Sequence, residues 1–144
     1  IRAVALRPEL RSFALENLER IPEGERLCHG DFHPGNTIVT KDGLSVIDWP
    51  GATRGHPGAD HARTLFLLKA GEPLNLPPHI RALVLVGRGL FASIYAGAYR
   101  HLMPVDSSLV QHARIAHIAA RLAEGIAVEE PRLIAMLEKA LARA

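Results

Sequence analysis

The chemically richest part of the chain is the HGD loop, residues 29–36 (HGDFHPGN), together with Asp48 at the end of the hairpin that follows. Asp31 and Asp48 offer carboxylate oxygens, and Asn36 offers an amide oxygen. Such hard oxygen ligands suit Mg²⁺, which keeps several waters and is completed by substrate phosphates. A carboxylate beside the metal can accept the proton of an alcohol. These residue types therefore predict the minimal site for phosphoryl transfer to a hydroxyl group.

A β-hairpin must bring Asp48 back to the HGD loop. The pair Asp42-Gly43 is typical of a two-residue type I′ turn between two β-forming segments. A turn centred there puts Asn36 opposite Trp49 and beside Asp48. The hairpin, about residues 37–48, is apolar on both faces, so we expect it to be buried. Because neighbouring side chains alternate between the two faces, Asn36 and Asp48 can converge only if regular pairing stops before them.

The rest of the chain predicts helices. Apolar residues recur at helical spacing after Pro8, and again over residues 60–70, 79–103, 106–128 and from Pro131 onward. Gly71 and Pro73 are expected to end the second of these helices, and residues 50–59 are expected to be irregular. We predict an α+β fold that is mainly α-helical, with four or five helices and one buried hairpin, forming a single domain over residues 1–144.

Composition narrows the classes of function. The chain has 144 residues, 48% hydrophobic and 22% charged, which is enough for one globular core. The formal net charge of +2 comes from scattered residues, so we expect no nucleic-acid partner. No uninterrupted apolar run reaches the roughly 18 residues of a membrane span, and no leader is evident, so we expect no membrane partner. The single cysteine, Cys28, fits a cytoplasmic protein.

Three segments resemble the C-terminal lobe of the aminoglycoside phosphotransferase and choline kinase-like family, which has a protein-kinase-like fold. They are LCHGDFHPGN, LSVIDW and GHPGADHARTLFLL, which occur in this order between residues 25 and 70. The resemblance implies ATP as co-substrate, Mg²⁺ as cofactor and a small hydroxyl-bearing molecule as acceptor. It implies Asp31 as catalytic base, Asn36 and Asp48 as the residues that bind Mg²⁺ and the nucleotide phosphates, and His29 and Asp60 as braces of the loop.

Two departures from the family accompany this resemblance. His56 stands where many relatives have an acidic residue, and no lysine precedes Lys41. The chain is therefore expected to be the catalytic lobe without the N-terminal nucleotide lobe, and to be inactive alone. Surface exposed in this way would favour a homodimer. Residues 79–128 hold few acids and five arginines, which disfavours a polycationic acceptor.

Two other interpretations remain open. One is a truncated or degenerate kinase-like module that binds a ligand without catalysis. The other is a metallohydrolase in which His29, His33, His56 and His61 join Asp31 around Zn²⁺. The second does not account for the spacing of Asn36 or for the carboxylate at the end of the hairpin.

Overall fold

The protein is mainly helical, with two small antiparallel sheets. The computed structural model describes residues 6–70 and 76–144. In chain order the elements are α1 (Pro8–Glu19), β1 (Arg26–Cys28), a 3-10 turn (Pro34–Asn36), β2 (Thr37–Thr40), β3 (Gly43–Val46), β4 (Thr53–Gly55), α2 (Pro57–Ala70), α3 (Pro78–Leu102), α4 (Ser107–Ala123) and α5 (Glu130–Leu141). The helix-rich α+β prediction is thus confirmed.

The helix ends follow local chemistry. Proline occupies the first turn of α1, where its missing N–H costs nothing. Asp106 caps α4, accepting a hydrogen bond from the Ser108 amide at 2.9 Å. The α4 helix ends at Ala123, earlier than expected, because Gly125 adopts a φ of 73°. The predicted stop of α2 at Gly71 and Pro73 lies outside the described residues.

Residues 50–59 are more regular than the sequence indicates. Thr53–Gly55 form β4, which pairs with β1 so that Cys28 faces Thr53. The α2 helix begins at Pro57, three residues before the predicted start, because proline fits the first helical turn. Asp60 therefore lies inside the first turn of α2 and not before it. This position directs its carboxylate toward the chain that leaves β1.

The hydrophobic core is formed by helices. Its buried members come from α1, α2, α4 and α5: Leu10, Phe13, Phe66, Ala70, Ile115, Ile118, Leu122, Leu133 and Leu137. The α4 helix lies at the centre, in contact with α1, α2 and α5, while α3 packs on α2. The core thus fixes α2, which carries Asp60, against the rest of the helices.

The expectation of a buried hairpin is wrong. Val39 is 81% exposed and Leu44 is 61% exposed, because no helix of the described chain covers either face of β2 and β3. The predicted register is also wrong. Thr40 pairs with Gly43, and the chain turns at residues 41–42. Gly43, at a φ of 130°, follows the turn instead of forming part of it.

The α3 helix lies largely on the surface. Ala92 is its one buried residue among those described, although the sequence predicts a broad buried face. By length and composition alone, α3 could cross a membrane, and only 6% of its most apolar window is buried. The sequence predicts this helix, over residues 79–103, but Arg81, Arg88 and Arg100 interrupt its apolar residues, so no uninterrupted apolar run indicates a membrane span. The absence of a membrane partner stays a prediction, as does the homodimer.

Candidate active site

Side chains of helix α2 form hydrogen bonds with main-chain amides and with a main-chain carbonyl of the HGD loop. The Asp60 carboxylate accepts hydrogen bonds from the His29 amide at 2.9 Å and the Gly30 amide at 2.8 Å. Arg63, one turn further along α2, donates from Nε to the Gly30 carbonyl at 3.2 Å. Charge-assisted hydrogen bonds are stronger than neutral ones, so α2 fixes the start of the loop firmly.

The start of α2 is itself held by two neighbouring helices. The Tyr99 hydroxyl of α3 donates to the Pro57 carbonyl at 3.0 Å. His117 of α4 places Nε2 2.9 Å from the Ala59 carbonyl. Burial lowers the pKa of His117, with Arg63 acting in the same direction, which favours the neutral ring. These contacts connect the position of Asp60 to the helical core.

Gly30 has a conformation and surroundings that suit only glycine. Its φ is 78°, in the left-handed region that residues with a Cβ rarely adopt. A Cβ added there would lie 2.5 Å from the Gly51 carbonyl oxygen. The HGD loop and the loop after Asp48 therefore pass each other at backbone contact, which brings the two halves of the candidate site together.

His29 is buried beneath this contact. Its Nε2 lies 2.9 Å from the Ile47 carbonyl, and its Nδ1 accepts a 3.3 Å hydrogen bond from the Asp31 amide. The ring contacts Trp49 with a centroid separation of 4.5 Å. His29 thus connects the backbone of Asp31 to the residues on either side of Asp48.

Asp31 and Asn36 lie side by side. The Asn36 side-chain amide donates to the Asp31 carbonyl at 2.9 Å and lies 3.4 Å from Asp31 Oδ2. Because the Nδ2 group makes these contacts, Asn36 Oδ1 is left as an acceptor. Asn36 is buried, whereas 43% of the Asp31 side chain is exposed. The pair therefore presents one fixed amide oxygen and one accessible carboxylate.

Asp48 lies beyond the end of regular pairing. The β2–β3 ladder stops at Thr37 and Val46, and the Ile47 amide then donates to the Asn36 carbonyl at 2.9 Å. Asn36 is thus opposite Ile47, not Trp49. Asp48 has a φ of 64°, an uncommon conformation for a residue with a Cβ. The structure shows no hydrogen bond between Asp48 and either Asp31 or Asn36.

The donor set fits Mg²⁺ better than Zn²⁺. Within residues 6–70 and 76–144, no group of three or more His, Cys, Asp or Glu side chains is placed to hold a metal ion. Asn36 Oδ1 and the exposed Asp48 carboxylate make no hydrogen bond or ion pair in this part of the chain, so both oxygens are available. Two oxygen ligands completed by waters and phosphates are typical of Mg²⁺.

The four histidines of the metallohydrolase interpretation have separate local roles. Besides His29, the Nδ1 atoms of His33 and His56 each accept a 3.0 Å hydrogen bond from the amide two residues later. His61 is buried and stacks on Tyr99 with a centroid distance of 4.0 Å. The structure does not gather them around one point.

His61 is a buried residue whose Nδ1 has no hydrogen-bond partner in the described structure. Burial lowers its pKa, with Arg100 acting in the same direction and Asp60 opposing. The neighbouring Tyr95 has its pKa raised to about 12, chiefly by burial, although a hydrogen bond with Thr64 opposes the shift. The rings of His61 and Tyr95 contact each other, with centroids 5.2 Å apart, and both lie close enough to Asp60 for its charge to affect their pKa values.

Sequence reasoning missed Arg63. Its guanidinium, mostly buried, bonds the HGD loop and lies 3.4 Å from Glu124 of α4. Arg121 joins Glu124 to Glu129, extending the ion pairs toward α5. The signal in the sequence is the spacing: Arg63 follows Asp60 by three residues, which places both on one face of a helix.

Comparison with known proteins identifies the family of the chain. The model of the APH phosphotransferase enzyme family matches residues 2–85, which is more than half of the chain. No curated protein and no solved structure gives a significant match. The chain belongs to the aminoglycoside phosphotransferase and choline kinase-like family, as the three sequence segments predict. Membership of this family indicates a phosphotransferase of kinase-like type.

Proposed function

We propose that this chain is the catalytic lobe of an ATP- and Mg²⁺-dependent O-phosphotransferase that acts on a small hydroxyl-bearing molecule. The observation that carries the proposal is the pairing of Asp31 with Asn36 in a loop fixed by Asp60 and Arg63. The loop combines an accessible carboxylate with an amide oxygen of fixed direction. Phosphoryl transfer depends almost entirely on such positioning and on charge stabilisation.

In this proposal Asp31 orients the acceptor hydroxyl and takes its proton. The acceptor oxygen forms a bond to the γ-phosphorus of ATP, the bond from that phosphorus to the bridging oxygen breaks, and ADP leaves. Asn36 and Asp48 would hold Mg²⁺, which supplies positive charge beside the phosphates. The partly exposed side chain of Asp31 is available to a substrate, and it lies beside Asn36, one of the two proposed metal ligands.

The nucleotide pocket requires residues beyond those described. Residues 1–28 contain no lysine and a single glycine, Gly24, so we assign the phosphate-covering elements to an N-terminal lobe of the kind the family resemblance implies. The exposed apolar side chains of the hairpin, among them Val39 and Leu44, offer a surface for such a lobe. A binding module without catalysis is the alternative that the same exposed surface favours.

The metal part of the proposal can be tested on the 144-residue chain. Mn²⁺, a paramagnetic substitute for Mg²⁺, should broaden the amide signals around Asn36 and Asp48. The broadening should vanish in Asp48→Asn, which removes the charge but keeps a residue that tolerates positive φ. Asp42→Asn, at the opposite end of the hairpin, is the matched control and should leave the broadening intact. Equal broadening in Asp48→Asn and in the unmodified chain would contradict the metal assignment.

The catalytic part needs the chain joined to its nucleotide lobe. There, Asp31→Asn should lower the turnover number by about 10²–10⁴-fold, as removal of a general base does, while Mn²⁺ still binds. Asp48→Asn should lose both turnover and Mn²⁺ binding. Turnover of Asp31→Asn within tenfold of the unmodified enzyme would refute the role of Asp31 and favour another base.

A further inference from the structure

A cavity of about 520 Å³ lies between the HGD loop, α2 and α3. Its walls include His33, Leu67, Leu68, Val84, Gly87 and Phe91. The volume is in the range of pockets that bind small molecules. Neither the family match nor the predicted site residues assign a ligand to it.

One residue of the cavity wall, His33, lies next to the candidate base. His33, which lines it, places Nε2 3.7 Å from Asp31 Oδ2. This separation is too long for a direct hydrogen bond, so it leaves Asp31 Oδ2 able to accept the hydrogen of an incoming hydroxyl. His33 is therefore the residue through which the cavity adjoins Asp31.

The walls of the cavity select for an apolar body. Leucine, valine, phenylalanine and proline side chains form most of the lining, and no carboxylate is present among the lining residues. The one cationic lining residue, Arg88, donates from Nε to the Leu68 carbonyl and from Nη2 to the Leu67 carbonyl, each at 2.9 Å. A polycation would find no counter-charge here, whereas apolar surface gains about 25 cal/mol for each Å² it buries.

From this geometry we infer that the cavity binds the acceptor, and that the acceptor is an alcohol carried on an apolar body and not a polycationic amino sugar. The inference rests on the proposed function, because it identifies Asp31 as the group that receives the hydroxyl. It extends that function by naming the substrate class and the surface that recognises it.

Gly87 provides the means to test this without disturbing the fold. A Cβ added at Gly87 meets nothing within 4 Å, and the same holds for Gly89 on the same helix. Gly87 lines the cavity, whereas Gly89 does not. The variants Gly87→Leu and Gly89→Leu thus change one exposed helix in the same chemical way, and only the first adds a side chain at a residue that lines the cavity.

Isothermal titration calorimetry on the 144-residue chain should detect binding of 4-phenyl-1-butanol, and binding of choline or glycerol at least tenfold weaker. Gly87→Leu should weaken 4-phenyl-1-butanol binding by about tenfold or more, a typical effect of changed pocket contacts. Gly89→Leu should stay within twofold of the unmodified chain. Equal affinities in all three chains, or tighter binding of choline, would overturn the inference.

Failure of this inference can be told from failure of the proposed function. If Asp31→Asn abolishes transfer in the complete enzyme but Gly87→Leu leaves alcohol binding unchanged, the cavity assignment is wrong and the phosphotransferase assignment stands. If Gly87→Leu weakens binding but Asp31→Asn retains turnover, the cavity binds an apolar alcohol and the catalytic assignment is wrong.

Discussion

The HGD loop and the β2–β3 hairpin contribute to the same candidate site, yet the chain supports them very differently. The loop is tied by Asp60 and Arg63 to α2, a helix that belongs to the core. The hairpin exposes apolar residues on both faces and contacts no helix extensively. The described chain itself therefore fixes the candidate base, while the strand end that leads to Asp48 depends mainly on its contacts with the loop.

The largest expected difference between the two regions is in the free energy of unfolding that is lost when a glycine with positive φ is replaced by alanine. Gly30→Ala combines backbone strain with a Cβ only 2.5 Å from the Gly51 carbonyl oxygen, and should lower the free energy of unfolding by about 4 kcal/mol. Gly43→Ala in the hairpin meets open space, so it should lose only the strain, about 1–3 kcal/mol. Urea denaturation measures both, and equal losses would mean that the close approach of the two loops is absent in solution.

The next contrast compares two aspartates. Asp60→Ala removes two charge-assisted hydrogen bonds to the HGD loop and should lower the free energy of unfolding by about 3 kcal/mol. Asp42→Ala, at the exposed turn of the hairpin, should change it by no more than about 0.5 kcal/mol.

The single tryptophan supplies a second readout for these aspartates. Because Trp49 contacts His29, Asp60→Ala should also alter its fluorescence in the folded state, and Asp42→Ala should not. A normal Trp49 spectrum together with unchanged stability in Asp60→Ala would show that the loop does not need α2.

The smallest expected effect is the dependence of the free energy of unfolding on pH that arises from the buried residue His61. The pKa of His61 is lowered from 6.5, mainly by burial. The unfolded chain therefore binds the proton more readily, so the stability contributed by neutral His61 is complete above pH 6.5 and declines as the pH falls toward the lowered value. His61→Phe keeps the stacking on Tyr99 and should reduce the loss of stability between about pH 7.5 and 5.5, measured by urea denaturation at both pH values.

The pKa of His117 is also lowered by burial. His61→Phe should therefore retain part of the dependence of the free energy of unfolding on pH. The control is His101→Phe, which changes an exposed histidine of α3 and should leave the pH dependence as it is. If His61→Phe shows the same slope as the unmodified chain, protonation of His61 does not couple to folding.

The sequence predicted local features well where a residue's own chemistry decides the structure. Pro8 begins α1, Asp106 caps α4, and the three motif segments in their order indicate the family that the family match confirms. The turn of the hairpin was misplaced because an Asp-Gly pair fits two turn geometries. Gly43 can supply positive φ either within the turn or just after it, and only the ladder of hydrogen bonds chooses between them.

The amino-acid order alone identifies the groups able to do chemistry and their succession along the chain. Packing between distant segments is what makes Arg63 bond the HGD loop, places His33 next to both Asp31 and an apolar cavity, and leaves the hairpin exposed. The physical reason is that the periodicity of a helix or strand shows which side chains share a face. Whether that face meets a partner depends on contacts between residues far apart in the chain, which no local pattern records.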